Sequence, residues 1–273
     1  MSKNPFSFEG KRAVVTGAAT GVGAALIELL AELGAAHVTV LDVKKPTGPC
    51  QRFLETDLSD RKAVDKAIAA IDGPVHALFN NAGVAATQAP RTVLAVNVLA
   101  LRRLSEGLFE RMPVGAAIVN TASIAGGRWP ERVAKINELL AIDDWDKSLA
   151  WLDANLAGLG IDSYSFSKEV VQVYTMRSSR PAQQRDVRVN SVCPAPIDTP
   201  LLVDFRKTMT DKIIDWTVSQ TNQRLVTPRE VANALAFLAS DAASYVNGVN
   251  LNVDAGFNAA MTTGQVDFSG LAG

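Results

Sequence analysis

Cysteine, histidine and long apolar runs are scarce in this 273-residue sequence, and each scarcity excludes a class of protein. Cys50 and Cys193 are too few for the disulfide framework of a small secreted domain, so we expect reduced thiols and a cytoplasmic protein. His37 and His76 lack ligand-like spacing, and we expect no metal site. No uninterrupted apolar run is long enough to span a membrane, and residues 1–10 lack the apolar core of a signal peptide.

Charge of one sign is also lacking, since 27 basic and 28 acidic residues give a formal net charge of −1. We therefore expect neither nucleic acid nor a membrane surface as a partner. The sequence contains no Pro-, Gly- or Ser-rich linker, no internal repeat and no low-complexity tract. With 48% apolar residues it can bury one large core, and we predict a single domain over residues 1–273.

Short apolar segments alternate with longer helical patterns along the chain. We predict strands at residues 13–16, 37–41, 52–55, 77–80, 117–120, 188–192 and 249–253. Most are continuously apolar, which is typical of strands covered on both faces of a parallel sheet. The predicted fold is an α/β doubly wound, Rossmann-type parallel sheet of about seven strands with helices on both faces.

Helices are indicated by apolar residues at helical spacing and by end signals. Residues 22–33 carry an apolar stripe that Gly34 can terminate, and a second helix follows Ser59 to about Ile71. Thr227 with Glu230 forms a helix-start signal. Residues 128–158 lack a strand pattern, and we predict a helical insertion there. That insertion could change subunit pairing, form a partner surface, cover a substrate cleft or simply pack on its own domain.

A glycine-rich turn follows the first predicted strand, where residues 16–23 read T-G-A-A-T-G-V-G. Glycines at such a turn let the backbone approach a pyrophosphate at the positive end of a helix. Asp42 ends the second predicted strand, 19 positions beyond Gly23. Its carboxylate can accept hydrogen bonds from the adenosine ribose and would repel a 2′-phosphate, which favours NAD over NADP. Lys44 and Lys45 could offset part of that repulsion.

Further motifs occur in a fixed order along nearly the whole chain, and together they resemble the short-chain dehydrogenase/reductase family. They are T-G-x-x-x-G-x-G at residues 16–23, Asp57-Leu58, N-N-A-G at 80–83, Asn97, Ser123, Y-x-x-x-K at 164–168 and P-A-P-I-D-T at 194–199. Ala195 stands where the family usually has glycine, and Asp254-Ala255-Gly256 varies its usual D-G-G. By this resemblance we expect these residues to bind the cofactor: Gly17, Thr20, Gly21, Val22, Gly23, Asp42, Asp57, Leu58, Asn81, Ala82, Gly83, Tyr164, Lys168, Pro194, Ile197 and Thr199.

The chemistry of the catalytic set is consistent with that resemblance. Tyr164 and Lys168 are four residues apart, so both lie on one face of a helix. A neighbouring ammonium and a positive nicotinamide ring would lower the tyrosine pKa and let the phenol move a proton. Ser123 would stabilise the substrate oxygen. The resemblance implies that Asn97 anchors a water linking Lys168 to solvent.

The long separation of Ser123 and Tyr164, 41 positions, resembles the bacterial 3α-hydroxysteroid dehydrogenase/carbonyl reductase subgroup. It is also similar to dehydrogenases of cyclic terpenoid alcohols. The apolar residues of segment 201–223, after the sixth predicted strand, indicate an apolar pocket, and we expect it to bind a hydrophobic cyclic secondary alcohol or ketone. The residues predicted to line it are Ile124, Trp129, Pro196, Leu201, Leu202 and Trp216.

The function predicted from these observations is NAD-dependent alcohol dehydrogenation or ketone reduction by a homodimer or homotetramer. A reductase of another carbonyl class, an enoyl reductase and a non-catalytic dinucleotide sensor are the alternatives. The sensor would not need Asn97, Ser123, Tyr164 and Lys168 together, and the enoyl reductase fits the serine and tyrosine less well.

Overall fold

The predicted apolar segments form seven parallel strands of one sheet in the computed structural model, which describes residues 4–271. The strands are β1 (Arg12–Thr16), β2 (His37–Asp42), β3 (Arg52–Glu55), β4 (Ala77–Asn80), β5 (Ala117–Thr121), β6 (Arg188–Pro194) and β7 (Asn250–Val253). Their order is β3-β2-β1-β4-β5-β6-β7. This order confirms the predicted α/β fold. Residues 1–3 and 272–273 of the predicted single domain lie outside the described residues.

Successive side chains of the central strands enter cores on opposite faces of the sheet. In β1, Val14 belongs to one apolar cluster, whereas Ala13 and Val15 belong to the other. In β4, Leu78 and Phe79 divide in the same way. A strand whose side chains alternate between two dry faces must be apolar throughout, which explains the absence of polar alternation in the sequence.

The helices cover both faces. They are α1 (Gly21–Glu32), α2 (Arg61–Ala70), α3 (Pro90–Leu94), α4 (Leu101–Leu108), α5 (Val133–Leu140), α6 (Trp145–Asn155), α7 (Ser163–Gln183), α8 (Leu202–Ser219), α9 (Pro228–Ala239) and α10 (Phe257–Thr262). Gly34 follows α1 with φ of 84°, and Thr227 and Glu230 form the predicted capping box of α9. A π-helical turn, Ala95–Ala100, joins α3 to α4.

The order in which successive strands are added to the sheet reverses at β1. From β1 the connections lead outward to β2 and β3 on one side and to β4 through β7 on the other. In a doubly wound sheet, this switch point opens a crevice at the carboxyl ends of the strands, where ligands bind. The glycine turn follows β1 and the N-N-A-G motif follows β4, so both lie at that crevice.

The predicted insertion is helical, because residues 128–158 contain α5, α6 and short 3₁₀ turns at Trp129–Glu131 and Leu156–Leu159. Its apolar side chains are buried in the same cluster as Phe166 and Val170 of α7. Among the alternatives raised by the sequence, the structure thus places this apolar stripe on the chain's own helix. None of residues 128–158 lines the main cleft. Across residues 4–271, no helix has the length and apolar character needed to cross a bilayer.

Candidate active site

Three glycines shape the turn at the carboxyl end of β1. Gly17 and Gly21 have φ of 69° and 60°, which glycine adopts without the steric penalty of a side chain. A β-carbon on Gly17 would lie 2.6 Å from the Cα of Ala82, and one on Gly23 would lie 2.1 Å from the carbonyl oxygen of Gly17. Gly17 and Gly21 therefore line the cleft, whereas Gly23 lies behind the turn and permits close packing of α1.

Hydrogen bonds fasten the ends of β1 and β4 to each other. The Thr16 hydroxyl oxygen accepts from the backbone N–H groups of Asn81 and Ala82, at 3.0 Å in each case. The Asn81 side-chain amide donates to the carbonyl oxygens of Thr16 and Gly17 at 3.2 and 3.0 Å. The turn is therefore held in one conformation, and the first N–H groups of α1 can meet an anionic pyrophosphate.

Asp42 lies at the end of β2 and lines the cleft. One carboxylate oxygen accepts from the Ala19 backbone N–H at 2.9 Å, and the other accepts from the Lys44 backbone N–H at 3.1 Å. These bonds fix the carboxylate beside the glycine turn. Lys44 also lines the cleft.

Ser123, Tyr164 and Lys168 meet where β5 and α7 approach each other. Ser123 follows β5 directly, and its hydroxyl is hydrogen-bonded to the side chain of Tyr164. The Lys168 ammonium lies 5.6 Å from the centre of the Tyr164 ring and donates to the Thr121 carbonyl at 2.7 Å. Gln172 donates to the Ser123 carbonyl at 2.9 Å, which ties the serine turn to α7. These three of the four predicted catalytic side chains line the cleft.

Burial dominates the electrostatics of this group. It raises the pKa of Tyr164 to about 12, although the hydrogen bond from Ser123 opposes that effect. Burial also lowers the pKa of Lys168 to about 8. The protein's own groups therefore favour the protonated phenol. The predicted lowering of the tyrosine pKa also required the positive nicotinamide ring, so it stays a prediction for the protein with bound cofactor.

Asn97 is placed close to the catalytic lysine but outside the cleft lining. It lies in the π-helical turn, is 1% exposed, and exchanges hydrogen bonds with both backbone groups of Val84 at 2.9 and 3.0 Å. Its amide also donates to Ser167 at 3.0 Å. A β-carbon on Gly83 would lie 3.5 Å from both the Asn97 oxygen and the Lys168 nitrogen, so these two polar atoms flank Gly83. The role of Asn97 in a water relay stays a prediction.

The cleft has a volume of about 1000 Å³ and extends from the glycine turn to α8. Its walls include every predicted cofactor-binding residue except Gly23. The first N–H groups of α1, the glycine turn and the Asp42 carboxylate together fit a dinucleotide. Within residues 4–271, no group of three or more His, Cys, Asp or Glu side chains is arranged to hold a metal ion.

The substrate end of the cleft is predicted less well. Ile124, Pro196 and Leu201 line it as expected, whereas Trp129, Leu202 and Trp216 do not. Trp129 packs against the core beneath the insertion, and Leu202 is buried at the start of α8. Trp216 packs between two phenylalanines behind the wall. Each of these three side chains packs its apolar surface against other side chains of the protein.

Several lining residues were not identified as site residues from the sequence. They are Val84, Gln88, Thr92, Val96, Phe205, Met209, Ile213, Ile214, Thr217 and Phe257. Phe205 is notable because its ring centre lies 4.7 Å from that of Tyr164. The apolar residues of 201–223 signalled this wall as a segment, but no spacing identified which of them face the cleft. No sequence pattern indicated that Phe257 lines the cleft.

Two family models match the sequence. One, described as short chain dehydrogenase, matches residues 11–134, and one described as enoyl-(acyl carrier protein) reductase matches residues 148–258. The first match contains the glycine turn and Ser123, and the second contains Tyr164 and Lys168. The residues between the two matches, 135–147, belong to the helical insertion.

Curated relatives match over nearly their whole length. Coniferyl-alcohol dehydrogenase from Pseudomonas sp. (strain HR199 / DSM 7063) is 32% identical over 247 residues, which cover 90% of this chain and 96% of that protein. Cis-4-hydroxycyclohexanecarboxylate dehydrogenase from Sinomonas cyclohexanicum is 33% identical, with 93% and 98% covered.

A solved structure matches the fold in a similar way. The 3-alpha-hydroxysteroid dehydrogenase from Pseudomonas sp. B-0831, complexed with NADH, superposes with a TM-score of 0.77 at 31% identity. The alignment covers 93% of this chain and 99% of that one. Other solved neighbours hold NADH or NADP.

Proposed function

Because this chain is an oxidoreductase of the short-chain dehydrogenase/reductase family, which uses NAD(H) or NADP(H) on alcohols, we propose that it interconverts a hydrophobic cyclic secondary alcohol and its ketone with NAD. The observation that carries this proposal is the contact of Tyr164 with Ser123, beside the buried Lys168 and within the cleft. A non-catalytic dinucleotide sensor would need the glycine turn but not this arrangement.

Tyr164 and Ser123 have separate roles in the proposed reaction. Bound NAD would accept hydride from the alcohol carbon, and NADH would return it to the ketone. Tyr164 donates its phenolic proton to the substrate oxygen during reduction and takes a proton from the alcohol during oxidation. Ser123 holds that oxygen with a hydrogen bond. The raised tyrosine pKa suits the donor role, and the positive ring of the oxidised cofactor would favour the phenolate needed in the other direction.

The preference for NAD rests on Asp42. Its carboxylate is held in the cleft by two backbone N–H groups, and its negative charge would repel the 2′-phosphate of NADP. Lys44 also lines the cleft, and its positive charge would offset part of this repulsion. Thermal unfolding with NADH and with NADPH tests the preference. We expect the larger rise in Tm with NADH, and a smaller difference in Asp42→Ser; a larger rise with NADPH would overturn the role of Asp42.

The substrate class is supported by the wall of the cleft and by the relatives. The wall at the catalytic end is mainly apolar, formed by Val84, Val96, Ile124, Leu201, Phe205, Met209, Ile213, Ile214 and Phe257. Apolar walls with a few polar groups bind ring-containing molecules well. The relatives are named for coniferyl alcohol, a hydroxycyclohexanecarboxylate and a hydroxysteroid, each of which contains a ring.

A substrate screen that follows NADH absorbance tests the function. It would compare steroid, monoterpenoid and cyclohexanol alcohols with coniferyl alcohol and sugar alcohols. Tyr164→Phe should lower kcat on the best substrate by at least about 100-fold, because proton transfer is lost, while NADH affinity stays nearly unchanged. Tyr245→Phe is the matched control, since Tyr245 is fully exposed. Retention of most of the rate in Tyr164→Phe would show that the assigned acid is wrong.

The match to an enoyl reductase model supports a second candidate function for the same site. Reduction of a C=C bond would need α,β-unsaturated thioesters, and the screen should include one with both cofactors. Turnover of that thioester without turnover of any alcohol or ketone would replace the proposed function. We further propose a homodimer or homotetramer, which sedimentation of the purified protein would test.

A further inference from the structure

Trp216 stands behind the substrate wall and joins two other aromatic residues. Its ring meets Phe257 edge-on, with ring centres 5.7 Å apart and planes at 83°. Its other contact is with Phe268, at 5.5 Å and an angle of 28° between the planes. Phe257 is 9% exposed and lines the cleft, whereas Phe268 is 53% exposed and belongs to the C-terminal segment. Aromatic pairs at these separations are favourable beyond the area that they bury.

Hydrogen bonds attach this C-terminal segment, residues 267–270, to the second half of α8. The Trp216 indole N–H donates to the Asp267 carbonyl at 2.8 Å, and the Asp267 N–H donates to the Gln220 side chain at 2.9 Å. The Asp267 carboxylate in turn accepts from the backbone and hydroxyl of Ser269 at 2.8 and 2.9 Å. The segment therefore has a defined conformation against α8.

The two halves of α8 are held differently. The backbone of Thr210 departs from helical geometry, with φ of 69° and ψ of 149°, and divides the helix. Phe205 in the first half contacts Tyr164, while Ile214 and Thr217 in the second half line the cleft beside Phe257. Only the second half carries Trp216. The position of the apolar wall therefore depends on what Trp216 packs against.

We propose that residues 267–270 act through Trp216 to position the substrate wall, and that Trp216 is a positioning residue for substrate binding. The proposal rests on the proposed function, because it assigns the wall to the alcohol or ketone. Trp216 does not line the cleft; it supports Phe257, which does. Loss of this support should weaken substrate binding and leave the dinucleotide end of the cleft unchanged.

Three variants and a control test the proposal kinetically. We expect Phe268→Ala and Trp216→Ala to raise KM for the best cyclic substrate about tenfold, equivalent to about 1.4 kcal/mol, with kcat and NADH affinity changed by less than about twofold. Trp216→Phe should recover most of the loss because it keeps an aromatic ring there. Phe6→Ala should change nothing, since Phe6 is similarly exposed and pairs with Phe237 away from the cleft.

An unchanged KM in Phe268→Ala would overturn the proposal, as would an equal loss of NADH affinity. If Trp216→Ala fails to fold, Phe268→Ala still decides the question. Trypsin supplies a readout that needs no substrate, because Lys212 lies in the second half of α8. We expect Phe268→Ala to speed cleavage there about fivefold relative to the wild type and Phe6→Ala. Faster cleavage in a protein that turns over no alcohol would support the attachment and reject the proposed function; unchanged cleavage would reject the attachment.

Discussion

Each end of the cleft contains a residue with the same positive φ angle, but the residue types differ. Gly17 at the dinucleotide end and Thr210 at the substrate end both have φ of 69°. Glycine adopts this angle freely, whereas a β-branched side chain is strained there. The dinucleotide end is thus built of relaxed backbone fixed by strand ends, and the substrate end contains strained backbone held by packing.

This difference predicts how each end responds to change. At the dinucleotide end, Gly17 and Gly23 permit backbone contacts that leave no room for a side chain, so small changes should have all-or-none effects. At the substrate end, the wall is supported by side chains from distant segments, and changes should be graded. Substitutions at the two ends of the cleft test this difference.

Gly23→Ala should have the largest effect. Its β-carbon would lie 2.1 Å from the Gly17 carbonyl oxygen, so either α1 or the glycine turn must move. We expect NADH affinity to fall by at least about 1000-fold, which is about 4 kcal/mol. Titration calorimetry measures it. Gly158→Ala is the control, because a β-carbon there meets nothing within 4 Å; near-normal binding by Gly23→Ala would contradict the all-or-none expectation.

Loss of a buried ion pair should be next in size. The Glu169 carboxylate is fully buried beside Lys168 and accepts from Arg132 of the insertion at 2.7 and 2.6 Å. Glu169→Ala leaves the guanidinium, 13% exposed, without this partner, and should lower the free energy of unfolding by about 3 to 4 kcal/mol. Urea unfolding at fixed protein concentration measures the loss.

Glu138→Ala is the matched control for this measurement, because Glu138 pairs with Lys135 on the same insertion but both side chains are half-exposed. It should cost at most about 0.5 kcal/mol. Equal losses in the two variants would show that the buried pair does not fasten the insertion to α7.

The same contrast explains how much could be predicted from the sequence. The strands are continuously apolar, so their positions were predicted almost to the residue, and the residues predicted to bind the cofactor line one cleft. Gly23 is the exception, because the sequence does not distinguish a glycine that faces a ligand from one that permits packing behind it.

The substrate end could not be predicted in this way. Trp216 packs between Phe257 and Phe268, and no periodicity connects residues that are so far apart in the chain. The raised pKa of Tyr164 and the lowered pKa of Lys168 could not be predicted for the protein alone, because sequence spacing shows the charge of Lys168 but not the burial of both groups. Tertiary packing decides both properties.

Lys168 lies where the two ends meet, and its burial predicts a pH effect of intermediate size. With a folded pKa of about 8 against an ordinary 10.5, the unfolded chain binds more protons between these values. The free energy of unfolding should therefore rise with pH there, by at most about 1.4 kcal/mol per unit. The raised pKa of Cys193 opposes this above about pH 9, and the raised pKa values of Tyr164 and Tyr174 oppose it above about pH 10.

Lys168→Met should remove that rise between pH 8 and 9, whereas Lys66→Met, at an exposed position of α2, should keep it. Urea unfolding at several pH values measures the slope. A slope shared by the wild type and Lys168→Met would mean that the lysine does not lose its proton on folding in this range.

Thr210→Gly should have the smallest effect, and its sign is informative. Glycine relieves the strain at φ of 69° but loses conformational entropy on folding, so we expect a net gain of about 1 kcal/mol in the free energy of unfolding. Thr208→Gly, two residues earlier at a helical position, should instead lose a few tenths of a kcal/mol. Both substitutions remove a side-chain hydrogen bond, that of Thr210 being accepted from the Ile213 N–H at 3.4 Å, so a gain at position 210 must come from the relieved backbone strain. Destabilisation by Thr210→Gly would mean that the kink is not strained, and the contrast between the two ends of the cleft would then rest on side-chain packing alone.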